Sequence, residues 1–443
     1  MGNITVKFIT LGCKTNIYES EAMAQLFEAA GYAVVRDENA PADVCVINTC
    51  TVTGTGAKKS RQQIRRAVRL NPGAVIAVTG CFAQTEPERV RSIEGVDVII
   101  GNKGRSEIVK MVEDALAGKK TDSVIDILRE KKFEEIAVST GQSRIRANVK
   151  IEDGCDNFCS YCIIPFARGP VRSRSLDNII KEAEALAQNG YSEIVLTGIH
   201  IGSYGKDIND GRRLIDVIEA LDRIDGIRRI RLGSIEPGIV DEEFASRAAK
   251  LNKLCPQFHL SLQSGSDATL KRMKRRYSAE QYRGAAALLR KCFKDAAITT
   301  DLMVGFVGET DEEFEESYNF CKEIGFSQMH IFKYSVRRGT AAEKMPGRVD
   351  ERVKEERSHR MLSLASDMKK DFYSEHIGRV MPVLIEQERQ SGVYHATTAN
   401  YMDVLISYGD GEDACGRIVD ARITGYDRAE EALTAEVCET ALQ

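Results

Sequence analysis

Apolar residues fall into short continuous runs, separated by stretches in which they recur every three or four positions. Runs at 6–13 (VKFITLGC), 43–50 (DVCVINTC), 74–81 (AVIAVTGC) and 96–104 (VDVIIGNKG) predict strands. Helical patterns lie between them at 19–30, at 58–70 and from residue 87. Continuous apolar strands that alternate with helices indicate a parallel sheet covered on both faces. Residues 1–117 therefore read as a doubly wound α/β domain, and the charged, weakly periodic residues 118–144 as a linker.

The alternation resumes at residue 145 and runs through six units. Strands are predicted at 147–152, 193–198, 228–234, 258–263, 297–304 and 328–334. Helices are predicted at 176–189, 212–224, 240–251, 278–292 and 311–324. Six βα units make an incomplete relative of the eight-unit barrel. A long polar helix at 351–375 closes this second domain, residues 145–375. Residues 376–443 alternate apolar and polar positions between turn signals, which predicts a small antiparallel β-barrel. The fold class is α/β with that barrel appended.

Composition narrows the function. A chain of 443 residues is too long for one core. It has no apolar run of about 18 residues, so no membrane span is expected. The N-terminus lacks the features of a signal peptide, and a cytoplasmic location is the expectation. Disulfides rarely persist there, so the 12 cysteines point to metal binding or catalysis. A net charge of −4 argues against a uniformly basic nucleic-acid binder but leaves room for local basic patches.

The segment GCDNFCSYC places Cys155, Cys159 and Cys162 at C-x3-C-x2-C spacing, directly after the first strand of the second domain. Loops at that end of a βα barrel carry its chemistry. Three thiolates in a short loop can hold a [4Fe–4S] cluster and leave one iron open. A structural zinc site would want a fourth Cys or His, and none lies within ten residues.

Cys13, Cys50 and Cys81 each end an apolar run (ITLGC, VINTC, AVTGC). Strand ends of a parallel sheet share one edge, and ligands bind in the crevice there. Three thiolates from three consecutive turns predict a second three-coordinate [4Fe–4S] cluster. The bland alternative is three ordinary core cysteines.

The triplet with Tyr161 before its last cysteine resembles the signature of the radical S-adenosylmethionine (SAM) superfamily. GCKTNIYESE, NTCTVT and VTGCFAQ are similar to the N-terminal domain of the methylthiotransferase family, and GCDNFCSYCIIPFARGPVRSR is similar to its radical SAM core. The β-rich tail resembles the family's TRAM domain, an RNA-contacting barrel.

The resemblance implies that the open iron on Cys155, Cys159 and Cys162 chelates SAM, whose reductive cleavage gives a 5′-deoxyadenosyl radical. It also implies that the second cluster carries sulfur and that two SAM are used per turnover. A reducing electron donor and a sulfur source are then required. The family's branches act on threonylcarbamoyladenosine in tRNA, on isopentenyladenosine in tRNA, or on an aspartate of a ribosomal protein. IIPFARGPVRSR is most similar to the first, which implies modification at position 37, next to the anticodon.

Strand-end residues Thr197, Gly198, Ser234, Glu236 and Gln263, with Tyr161, are the candidate SAM contacts. Arg168, Arg172 and Arg174, just after the cluster loop, are the candidate RNA contacts. Two further basic clusters, at 58–69 and 271–276, could also track phosphates. The non-enzymatic alternative is an RNA-binding protein with structural clusters.

Overall fold

The structure is a computed structural model and describes residues 4–37, 40–138, 145–390, 392–409 and 414–438. Its first unit is a six-stranded parallel sheet. Strand Thr5–Thr10 lies between Ala33–Val35 and Val44–Thr49, followed by Val75–Gly80, Val98–Ile100 and Thr121–Ser123. Both faces are buried. Val6, Phe27, Val46 and Ile108 pack on one, and Ile47, Ile64, Val78 and Val90 on the other. The expected doubly wound sheet is present, with a topological switch between Thr5–Thr10 and Val44–Thr49.

The segment read as a linker is a correction. Thr121–Ser123 adds the sheet's sixth strand, and Ile136 and Val138 bury against Tyr18. Three polar residues at a sheet edge carry no periodicity that could reveal them. Residues 139–144, the end of that reading, lie outside the described residues.

The second unit carries the six expected parallel strands: Arg146–Lys150, Glu193–Thr197, Arg229–Leu232, Gln257–His259, Ala297–Val304 and Gln328–Lys333. They pair as two groups of three, joined by bridges at Ile230–Leu254 and Ile235–Leu260. The result is an open arc backed by helices. Ser278–Gln281 and Thr310–Glu313 form reciprocal capping boxes that start Ala279–Cys292 and Asp311–Ile324.

The last five strands close a barrel over Tyr373, Ile385, Val404 and Leu433. All of its pairings are antiparallel but one: Asp403–Ser407 runs parallel to Ala432–Val437. This barrel docks on the N-terminal ends of the core strands. Arg229 donates to the carbonyls of Thr397 (3.1 Å) and Pro382 (2.8 Å), and Arg231 to that of Ala399 (3.0 Å). The opposite, C-terminal ends stay open toward the cysteine loop.

Candidate active site

The cysteine loop leaves the core between Glu152–Asp153 and the short helix Ile164–Arg168. Two outside segments pin it at Ser160. Ser160 donates from N to Met273 O (3.0 Å) and from Oγ to Arg272 O (2.8 Å), and its carbonyl accepts from Ala342 N (2.7 Å). The Tyr161 ring anchors beside Phe306, at 6.2 Å between centroids. Burial pushes the Cys155 and Cys162 thiols up to about 12. They are therefore protonated at neutral pH until a metal displaces the protons.

The second trio sits at the switch point of the N-terminal sheet. Cys13 caps helix Lys14–Ala29, Cys50 follows Val44–Thr49, and Cys81 opens Cys81–Thr85. Gly12 holds φ of +110°, and a Cβ there would stand 2.9 Å from Cys50 Cβ and 3.1 Å from its sulfur. A side chain at residue 12 would close the crevice. Asn16 ties the turns together by donating to the carbonyls of Leu11 (2.7 Å) and Thr49 (3.1 Å).

The spread of the sulfurs tests which metal group fits. Thiolates on one tetrahedral zinc lie about 3.8 Å apart, from bonds of about 2.3 Å. Among the described residues, only His259, Asp301 and His330 bring their ligand atoms within 4.8 Å of one another. Neither cysteine trio brings its three sulfurs all within that distance, so neither is drawn tight around a single ion.

Arg168 joins the two trios. It ends the helix that begins just after Cys162, which carries it on the order of 9 Å from that cysteine. Its Nε donates to Cys81 Sγ at 3.3 Å, and its Nη2 to Asn16 Oδ1 at 2.6 Å. Asn102 Nδ2 approaches the same sulfur at 3.5 Å. Thr15 donates to Gly198 O (3.4 Å), so the N-terminal domain rests on the open end of the core.

The arginines expected to meet RNA do not face solvent. Arg168, Arg172 and Arg174 are 0%, 2% and 1% exposed. Arg168 and Arg172 pair with Asp153, and Arg174 with Glu182 (2.6 Å) and Glu135 (2.8 Å). Arg168 and Arg174 reach across the domain junction to Glu19 and Tyr18, Arg172 stays within the core, and the assignment of all three to RNA is corrected.

Of the expected SAM contacts, Tyr161 lies in the cysteine loop, and Thr197, Gly198, Ser234, Glu236 and Gln263 lie at or just after the C-terminal ends of core strands. Thr197 is buried there, Ser234 is exposed, and Gln263 adopts left-handed backbone, φ +67°. Gly198 backs onto Glu152, whose Oε2 lies 2.8 Å from where a Cβ would be. Glu236 is held by Arg275 (2.8 Å), Asn157 (3.0 Å) and His200 (3.3 Å). Burial opposes its charge, yet the His200 hydrogen bond and the Arg275 cation bring its carboxyl down to about 2.

Two roles escaped the sequence reading. Arg275, read only as part of the basic cluster 271–276, donates from Nη1 to Cys159 Sγ (3.3 Å), a contact from 116 residues away. Glu152 is fully buried, and that burial pushes its carboxyl up to about 8 despite hydrogen bonds from the N–H groups of Ile199 and His200. No local spacing marks either one.

Known proteins show the same pattern. Residues 149–321 match the Radical SAM superfamily, and residues 5–101 match a family described as uncharacterized protein family UPF0004. A Bacillus subtilis protein named threonylcarbamoyladenosine tRNA methylthiotransferase MtaB is 44% identical across 95% of this chain and 94% of its own. The chain belongs to the radical SAM tRNA methylthiotransferase family.

The methylthiotransferase is also 33% identical to a Pelotomaculum thermopropionicum protein named tRNA-2-methylthio-N(6)-dimethylallyladenosine synthase, over 95% of each chain. Its fold resembles that of the radical SAM methyltransferase TsrM of Kitasatospora setae, with a TM-score of 0.56 at 15% identity, covering 75% of this chain and 72% of that one. SAM and one [4Fe–4S] cluster follow from the superfamily. Among the described residues, no helix is long and apolar enough to cross a membrane.

Proposed function

We propose that this methylthiotransferase converts threonylcarbamoyladenosine at position 37 of tRNA to its 2-methylthio derivative. The observation that carries the reading is the 44% identity with a protein of that name, end to end. Relatives named for dimethylallyladenosine reach 32–34%.

In this reading Cys155, Cys159 and Cys162 hold one [4Fe–4S] cluster, and Cys13, Cys50 and Cys81 hold a second. When bound, these groups supply an electron for SAM cleavage and hydrogen abstraction at the adenine, sulfur for insertion, and a methyl group from a second SAM. The chain's own residues position this chemistry. Arg275 and Arg168 each donate to one cysteine sulfur, which stabilises thiolate character on either side of the junction. Thr197, Gly198, Ser234, Glu236 and Gln263 offer polar groups to SAM at the strand ends. A reducing electron donor and a sulfur source, in the cytoplasm where tRNA is modified, complete the requirement.

The tRNA phosphates have a better partner than the buried arginines. Helix Gly54–Leu70 exposes Lys58, Lys59, Arg65, Arg66 and Arg69, and among the described residues none of the five forms an ion pair. Its first turns are tied to Cys50 through Ser60, whose Oγ donates to Cys50 O at 2.8 Å. Backbone tracking by this face would bring the anticodon loop to the crevice. Phe158 and Phe166 leave exposed rings beside the cluster loop, 5.6 Å apart, suited to stacking a splayed base. Reversing Arg65, Arg66 and Arg69 to Glu is expected to raise KM for tRNA and flatten the salt dependence by roughly 2–3 in log–log slope. Unchanged KM and slope would remove this helix from the interface.

Nucleoside mass spectrometry of tRNA from a deletion strain tests the substrate. Threonylcarbamoyladenosine should accumulate without its 2-methylthio form, and complementation should restore it. Loss of the methylthio isopentenyl nucleoside, or unmodified profiles beside an altered ribosomal protein, would assign another branch.

A further inference from the structure

Successive strand residues point to opposite faces, so every second residue of the core strands looks into the arc. Those inward residues are polar: Arg231, His259, Asp301 and His330 among them. They enclose two adjoining cavities of about 490 and 480 Å³, which share Lys14, Arg231 and Tyr401 as walls. The floor is the C-terminal barrel, through Tyr401, and the rim is Ser234 at a strand end. This space is the size of a small-molecule site. Val195, Leu232 and the Tyr401 ring add apolar surface beside these polar groups.

The walls carry more cations than carboxylates, but most of these charges are already engaged. Glu193, fully buried, is shared by Arg146 (2.5 Å), Arg231 (3.0 Å) and Arg229 (3.6 Å). Asp301 faces His259 at 3.4 Å, and Asp403 faces His395 at 3.2 Å. Lys14 enters from the other domain, directly after Cys13, and borders both cavities. Among the described residues it forms no ion pair or side-chain hydrogen bond. It also sits at a helix N-terminus with no acidic residue in the first turn, where a cation is disfavoured. Local stability therefore gives no reason for a lysine here.

A threonylcarbamoyl group ends in a carboxylate, which an isopentenyl group lacks. We propose that Lys14 is the specificity residue that pairs with this carboxylate inside the core. The inference rests on the substrate reading above and adds the residue that enforces it. A charge-assisted hydrogen bond to Lys14 stabilises an anion and leaves an apolar analogue unrewarded.

The test uses reconstituted full-length enzyme and two anticodon stem–loops. One carries threonylcarbamoyladenosine and the other its threoninamide counterpart. Wild type should favour the acid by roughly 10- to 100-fold in kcat/KM, the range of a hydrogen bond to a charged group. Lys14→Met should lose most of that preference, chiefly through KM, with about eight irons retained, and Lys14→Arg should keep it. A wild-type enzyme that takes amide and acid equally, or an iron-replete Lys14→Met with the full preference, would overturn the assignment. Because wild type alone gives the first result, the test survives any loss of cluster caused by changing a neighbour of Cys13. Wild type that modifies neither RNA would instead sink the substrate reading.

Discussion

Enzyme carrying Cys155→Ala, Cys159→Ala and Cys162→Ala together is expected to form no 5′-deoxyadenosine from SAM. Enzyme carrying Cys13→Ala, Cys50→Ala and Cys81→Ala is expected to keep forming it while yielding no methylthio product. The physical reason is that the trios belong to separate scaffolds. One is a single loop pinned at Ser160 by the segments at 272–273 and 342. The other is spread over three strand ends at a switch point, and its removal leaves the first loop's anchors intact. Chromatography of the SAM products and mass spectrometry of the RNA separate the two outcomes. 5′-Deoxyadenosine from the first variant would place the radical chemistry elsewhere.

The second large effect concerns stability. Glu19 is 4% exposed and meets Arg105 from its own domain, with Lys150 (2.7 Å) and Arg168 from the core. Glu19→Gln leaves three buried cations with only Asp153 and Glu134 to offset them. Breaking a buried network by removing one partner costs about 3–5 kcal/mol. A fall on the order of 10 °C in the first thermal transition is expected. Burial alone would raise the Glu19 carboxyl, but Arg105, Arg168 and Lys150 outweigh it and hold it well below its usual 4.5, at about 2. Its contribution is therefore fully present above pH 4.5 and lost as pH falls toward 2. The variant should lack that acid-side loss. A variant as stable as wild type across this window would show that the junction does not depend on the network.

Much of this was legible in the chain, for identifiable reasons. Strands buried on both faces are long apolar runs, so Val44–Thr49 and Val75–Gly80 were found within a residue or so of their ends. Cys13, Cys50 and Cys81 sit where such runs stop, and Cys155, Cys159 and Cys162 share one short loop that their spacing alone marks. Strand Thr121–Ser123 and helix Ile108–Leu116 were missed, the first because three polar edge residues carry no pattern. The arginine misreading has a different origin. A basic stretch after a cluster loop looks the same whether it meets phosphates or carboxylates. The deciding partner of Arg168, Glu19, lies 149 residues away, and only the packed structure brings it near. Lys14 stood inside the GCKTN motif, but its place on the cavity wall without an ion pair of its own shows only in the packed structure.

The measurement that bears most directly on the paired sites is iron and sulfide per chain after anaerobic reconstitution. Two independent three-cysteine clusters require about eight irons in wild type and about four in either triple-alanine variant. Wild type saturating at about four, or either variant still holding about eight, would contradict them.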